Sequence, residues 1–186
     1  MKLRRIARIL LPLCLCLALL FSGCAAGKDP AGEPTDAPTA SEAGAEAAAD
    51  ALPAFTVYDK DGNAVESGTL TGTPTVINFW ATWCPPCRAE LPDFQAAFEA
   101  RGDVRFVMVD LTDGETETEA AVNAFLEENG YTFPVYFDKS GSAAVAMEIN
   151  AIPMTVFLTA DGRVARLINS MLSAEELEEG LALIAP

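Results

Sequence analysis

The sequence contains no histidine among its 186 residues. A structural zinc site needs about four ligands, normally cysteines combined with histidines or with a second cysteine pair, so a lone cysteine pair in a histidine-free chain does not make a zinc clip. Basic residues are scarce as well: 12 Lys and Arg stand against 27 Asp and Glu, a formal net charge of −15. Such a surface repels nucleic acid and anionic lipid head groups, which proteins bind largely by neutralising phosphate charge. No internal repeat is visible, and no apolar run reaches the roughly 20 residues of a membrane-spanning helix. Asp59, Asp61 and Asn63 open with the spacing of a calcium-binding loop, but the glycine comes early, at Gly62, and Leu70 stands where the last ligand belongs.

What is present begins with "MKLRRIARILLPLCLCLALLFSGC". Lys2, Arg4, Arg5 and Arg8 precede an apolar run from Ile9 to Phe21, the layout of an export signal. Leu20-Phe21-Ser22-Gly23-Cys24 resembles the lipobox of bacterial lipoproteins, which implies cleavage before Cys24, acylation of its thiol and a lipid anchor in the membrane. Without residues 1–23 the chain keeps 8 basic against 27 acidic side chains, a net charge of −19. Cys14 and Cys16 leave with the signal and Cys24 carries lipid, so Cys84 and Cys87 remain as thiols in a disulfide-permissive compartment. The stretch that follows Cys24, through residue 53, is dominated by Ala, Gly, Pro, Glu, Asp, Ser and Thr and reads as a disordered tether. Its typical end-to-end distance is roughly 30 Å.

Residues 54–186 read as one domain of alternating strands and helices. "FTVYD" and "AVES" flank a turn at Lys60-Asp61-Gly62-Asn63, as in a hairpin. "TPTVINFW" and "VRFVMVDL" are apolar runs suited to central strands covered on both faces. Leu91, Phe94 and Phe98 fall at helical spacing after the cysteines. "ETEAAVNAFLEENG" predicts a helix ending at Gly130, "FPVYFD" a short strand and "SAAVAMEI" a helix. "MTVFL" and "RVARLIN" pair across Asp161-Gly162, and Ser173 with Glu176 forms a capping box for the last helix. The pattern gives a mixed three-layer α/β domain.

Cys84-Pro85-Pro86-Cys87 lies where an apolar strand gives way to a helix. A permanently closed disulfide across two intervening residues would constrain the unfolded chain very little. A redox pair is the remaining reading, because the thiolate is the nucleophile in thiol–disulfide exchange and a helix N-terminus favours it. Cys84 then attacks a partner disulfide and Cys87, one turn on, resolves the mixed disulfide.

Three stretches, "FWATWCPPC" at Phe79 to Cys87, Pro92 five residues later, and "AIPMTVF" at Ala151 to Phe157, resemble the TlpA/ResA-like thiol-disulfide oxidoreductases of the thioredoxin-like fold. The resemblance covers residues 54–186. It implies a three-layer α/β fold with a central mixed sheet, an N-terminal hairpin and a TlpA-type insertion between about residues 110 and 137. It also implies a cis Pro153 facing the pair, Ile152 offering its backbone to an extended client, and Trp83 with Pro85 as apolar surface beside Cys84, with Trp80 packed beneath. No bound cofactor is expected beyond the redox-active Cys84–Cys87 disulfide. The implied partners are a disulfide-containing exported client protein and a membrane electron donor of the CcdA/DsbD type, at the extracytoplasmic face of the bacterial cell membrane.

Two positions depart from the thioredoxin pattern. Asn78 stands where thioredoxin has a buried aspartate, and Glu90 takes the place at which ResA-like proteins carry a glutamate credited with proton transfer; a solvated glutamate beside Arg88 is the alternative. Met154 replaces a common threonine. Because Pro85 and Pro86 have no N–H to offer the Cys84 sulfur, the thiolate is less favoured and a reductant is expected. A peroxiredoxin-like thiol peroxidase and a binding lipoprotein with an inert disulfide are the other readings at this point. If Cys24 carries the lipid, Cys24→Ala releases the domain from the membrane fraction or leaves the signal uncleaved; retention with normal processing would remove the lipid-anchor reading.

Overall fold

A hairpin starts the domain, with β1 (Thr56–Tyr58) and β2 (Ala64–Glu66) joined by a turn that the Asp59 carboxylate closes by accepting from the N–H groups of Asp61 and Asn63. The structure, a computed structural model, describes residues 51–186, so the export signal, Cys24 and the tether through residue 50 lie outside the described residues. There follow β3 (Thr75–Trp80), α1 (Pro85–Ala100), β4 (Arg105–Asp110), α2 (Glu119–Asn129), β5 (Val135–Phe137), α3 (Ser142–Ala146), β6 (Met154–Leu158), β7 (Val164–Ile168) and α4 (Ala174–Ile184). The strands form one mixed sheet in the order β2-β1-β5-β4-β3-β6-β7, with β3, β4 and β5 parallel and the others antiparallel to their neighbours.

The apolar strand in the middle decides the layering. Every residue of β3 is buried, and successive side chains point to opposite faces. Val76 and Trp80 join Leu91, Phe94, Val122, Leu177 and Leu181 in the core beneath α1, α2 and α4. Ile77 and Phe79 join Phe55, Val57, Val107 and Ala143 in the core on the opposite face, beneath α3. The segment expected as an insertion supplies α2 and β5, and β5 wedges between β4 and the hairpin. α1 buries Cys87, Glu90, Leu91, Phe94 and Ala97, a helical stripe containing one acid, and runs on through Pro92.

Three boundaries differ from the sequence reading. α2 starts at Glu119 because Thr118 caps it, its hydroxyl accepting from the Ala121 N–H, and this leaves Glu117 in the preceding loop. α3 stops at Ala146, since Glu148 turns into left-handed backbone at φ 51° and redirects the chain toward residues 149–153. The folded contacts begin before residue 54: Ala51 bridges to Arg163 and the Pro53 carbonyl accepts from the Ser67 hydroxyl. The Ser173–Glu176 capping box is present on α4.

One close approach fixes α4 on the sheet. A Cβ added at Gly180 would lie 2.2–2.6 Å from ring atoms of the fully buried Phe157. Gly180→Ala gains about 1 kcal/mol of helix propensity but overpacks a core that cannot yield. It is expected to destabilise by roughly 2 kcal/mol in chemical denaturation; an unchanged or raised midpoint would show that the ring moves freely.

Candidate active site

Cys84 is the last extended residue before α1, at φ −89° and ψ 105°, and acts as the N-cap with Pro85 and Pro86 in the first two helical places. Proline suits that place because the first N–H groups of a helix have no partner in the helix. The consequence is that the Cys84 Sγ accepts one backbone donor, the Cys87 N–H at 3.2 Å. The two cysteines form a disulfide, with S–S 2.04 Å and Cα–Cα 5.3 Å, and both are buried.

β6 runs antiparallel to β3 and brings its start beside the cysteines, with Met154 opposite Phe79. The Ile152–Pro153 peptide is cis, and the Ile152 carbonyl oxygen lies 3.7 Å from the Cys84 Sγ. A groove of about 460 Å³ opens over the sulfur, lined by Trp83, Pro85, Leu111, Asn150 and Ile152 among others. Trp83 is 57% exposed, whereas Trp80 is fully buried 5.8 Å from the Phe125 ring. Pro153 and Met154 are buried behind the groove. The structure thus brings Trp83, Cys84, Pro85, Cys87, Ile152 and Pro153 together. Cys24 lies outside the described residues.

Glu90 is 1% exposed, so it is not a solvated helix glutamate. It occupies the α1 stripe one turn after Cys87, facing Asn78 of β3. Its Oε1 accepts from the Asn78 Nδ2 at 2.8 Å and its Oε2 from the Leu172 N–H at 2.8 Å. The same Asn78 amide donates to the Thr155 hydroxyl, while its Oδ1 has no partner among the described residues. A half-turn of that amide would offer Oδ1 to a protonated Glu90, so the network suits either charge state. Burial pushes Glu90 up to about 7, against the opposing bonds from Leu172 and Asn78. Arg88 points elsewhere, its guanidinium 5.4 Å over the Phe125 ring.

The redoxin family profile matches residues 47–181. The chain belongs to the redoxin family. This redoxin is 37% identical over 144 residues to thiol-disulfide oxidoreductase ResA of Oceanobacillus iheyensis, covering 74% of the chain and 72% of the relative. Among solved structures it is similar to StoA from Bacillus subtilis, with a TM-score of 0.60 and 30% identity over 70% of this chain and 97% of that one. A thiol:disulfide interchange protein of the thioredoxin family from Chlorobium tepidum matches with a TM-score of 0.63 and 26% identity, over 75% and 99% of the two chains. The redoxin therefore has the thioredoxin-like fold.

Sequence reasoning passed over Leu111, Asn150 and a buried acidic pair, Asp110 and Glu117, beside the turn that carries Trp83. Asp110 carried a signal, being the one charge inside the apolar run "RFVMVDL" after its first residue. Glu117 carried none, since it sits in a run of threonines and acids typical of a solvated surface.

The raised Glu90 has a defined effect on stability. The folded protein holds a proton that the unfolded chain releases above the ordinary value of 4.5, so stability is full below that value and falls as pH rises toward about 7. The loss assignable to this group is on the order of 2–3 kcal/mol. In denaturation series at acidic and mildly alkaline pH, Glu90→Gln is expected to lose less stability than the unsubstituted protein over the same interval. Equal losses would mean that Glu90 titrates as an ordinary carboxylate.

Proposed function

We infer that this redoxin is a thiol–disulfide oxidoreductase that reduces disulfides in exported client proteins. The observation that supports it best is the Cys84–Cys87 disulfide at the start of α1, with Cys84 beneath an open groove. In the reduced protein the Cys84 thiolate attacks a client disulfide, forming a mixed disulfide and releasing one client thiolate. Cys87, losing its proton, attacks the Cys84 sulfur; the second client thiolate leaves and the pair is oxidised. Two electrons pass to the client. Glu90, buried one turn after Cys87 and raised to about 7, has the proton affinity to take the Cys87 proton near neutral pH. Trp83, Pro85 and Ile152 form apolar and backbone surface for the client segment beside cis Pro153.

The reductant direction follows from the two prolines. A sulfur with a single backbone donor stabilises a thiolate less than one facing several N–H groups, and a less stabilised reduced form has a lower potential. Recharging requires a two-electron donor, for which we propose a membrane protein of the CcdA/DsbD type. The lipid on Cys24 would hold the enzyme at the extracytoplasmic face of the cell membrane. Its basic start and lipobox support that location.

Equilibration of the purified protein with glutathione buffers tests the direction. A potential near thioredoxin's, about −270 mV, is expected, and one near that of a strong oxidant, about −120 mV, would overturn the reductant assignment. Cys87→Ala is expected to accumulate mixed disulfides through Cys84, and Cys84→Ala to abolish exchange. Undiminished exchange in Cys84→Ala would remove the enzymatic reading.

A further inference from the structure

Two carboxyl groups with no part in the exchange chemistry lie buried behind the active-site turn. Asp110 ends β4 in register with Trp80 and is fully buried, and Glu117 is 1% exposed. Glu117 turns both oxygens on one residue of the turn, Thr82: Oε1 accepts from its N–H at 2.5 Å and Oε2 from its hydroxyl at 2.7 Å. Asp110 Oδ1 accepts from the Thr112 hydroxyl at 2.6 Å, while its Oδ2 meets no donor among the described residues; the Leu111 N–H bond to the Trp80 carbonyl and the Glu117 bonds to Thr82 bring the two acids to the same turn. The loop between them is folded to hold this arrangement. The Asp113 carboxylate accepts from the N–H groups of Glu115, Thr116 and Glu117, and the Glu117 carbonyl accepts from those of Asp113 and Gly114.

Two ionised carboxylates cannot sit side by side without solvent, and a single proton between them resolves the conflict. Glu117 already receives two hydrogen bonds from Thr82, whereas Asp110 has one oxygen without a donor. Asp110 is the acid that burial keeps protonated, and Oδ2, the oxygen without a donor, is the one left to carry an O–H toward Glu117.

We propose that Asp110 and Glu117 are a proton-sharing pair of positioning residues, in which the Asp110 O–H orients Glu117 and Glu117 holds Thr82, fixing the turn that presents Trp83 and Cys84 to the groove. That the turn's position matters for catalysis rests on the exchange reading above; the hydrogen-bonded chain itself does not. Burial first, then the nearness of Glu117 and Asp113, push Asp110 up to about 8 although the Thr112 bond opposes them. The other charged groups around Asp110 are accounted for. Asp138 donates its N–H to the Asp110 carbonyl and turns its carboxylate to the N–H groups of Ala143 and Ala144. From α1, Arg88 lies over Phe125 and Glu90 is bonded to Asn78 and Leu172, while Cys84 does not titrate in the disulfide.

The Thr82 amide is the reporter, since its N–H points at the Glu117 Oε1. In the oxidised full-length protein its nuclear magnetic resonance shift is expected to titrate near the value of about 8 assigned to Asp110. The titration should persist in Glu90→Gln and vanish in Asp110→Asn, whose amide donates to Glu117 at every pH. A flat shift in the unsubstituted protein, or the same titration in Asp110→Asn, would overturn the pair. Glu117→Gln and Thr82→Val should each slow exchange with a peptide disulfide about tenfold, with the melting temperature little changed. Unaltered rates in Thr82→Val would overturn the positioning role, even if Glu117→Gln fails to fold. Absence of exchange in the unsubstituted protein would instead sink the enzymatic reading and leave the amide titration to stand by itself.

Discussion

A helix whose first two residues have no N–H is the constraint on which the site depends. Ordinarily the start of a helix offers several unpaired donors to whatever anion sits there. Here Pro85 and Pro86 withdraw them, and the Cys84 sulfur receives the Cys87 N–H alone. The dipole of α1 still points at the sulfur, but the short-range donors that make it effective are reduced to one. Everything around the turn then faces a sulfur with a single backbone donor. The helix is held in place by the apolar stripe of Leu91, Phe94 and Ala97 packed over β3, so the N-cap geometry is set by the core and not by the loop.

The buried charges around that turn are all carboxyls. Glu90 lies under α1, and Asp110 with Glu117 lies behind Thr82, and among the described residues no Lys or Arg is bonded to any of the three. A protein that needed a strongly stabilised thiolate would be expected to bury a cation or expose more N–H groups here. Here two carboxyls near the turn, Glu90 and Asp110, are instead pushed up by burial to about 7 and about 8. Such groups favour moving protons over storing negative charge, as resolution by Cys87 requires in the proposed cycle.

Much of this was legible in the chain. β3 and β4 could be read because their side chains are apolar on both faces, and the hairpins because Asp-Gly turns separate them. Cys84 and Cys87 were fixed by local spacing alone. Glu90 could be placed because it lies one turn after Cys87 on the stripe that Leu91 and Phe94 define. Glu117 could not, because its burial depends on a partner 35 residues away and on Asp113 folding the loop back on itself. The early end of α3 was hidden for a similar reason: Glu148 adopts left-handed backbone, which its side chain does not favour, to deliver residues 149–153 to the groove.

The bridge between Ala51 and Arg163 has a mechanical consequence. Arg163 lies past the end of β6, whose Leu158 is opposite Thr75 at the start of β3, whereas the cysteines follow Trp80 at the other end of that strand. The polypeptide therefore enters the domain at one pole and the groove opens at the other. A load carried through the N-terminal chain pulls on the back of the molecule, as a mooring line holds a boat by the stern. If the chain before residue 51 is tethered as proposed, the reactive pole faces away from the point of attachment.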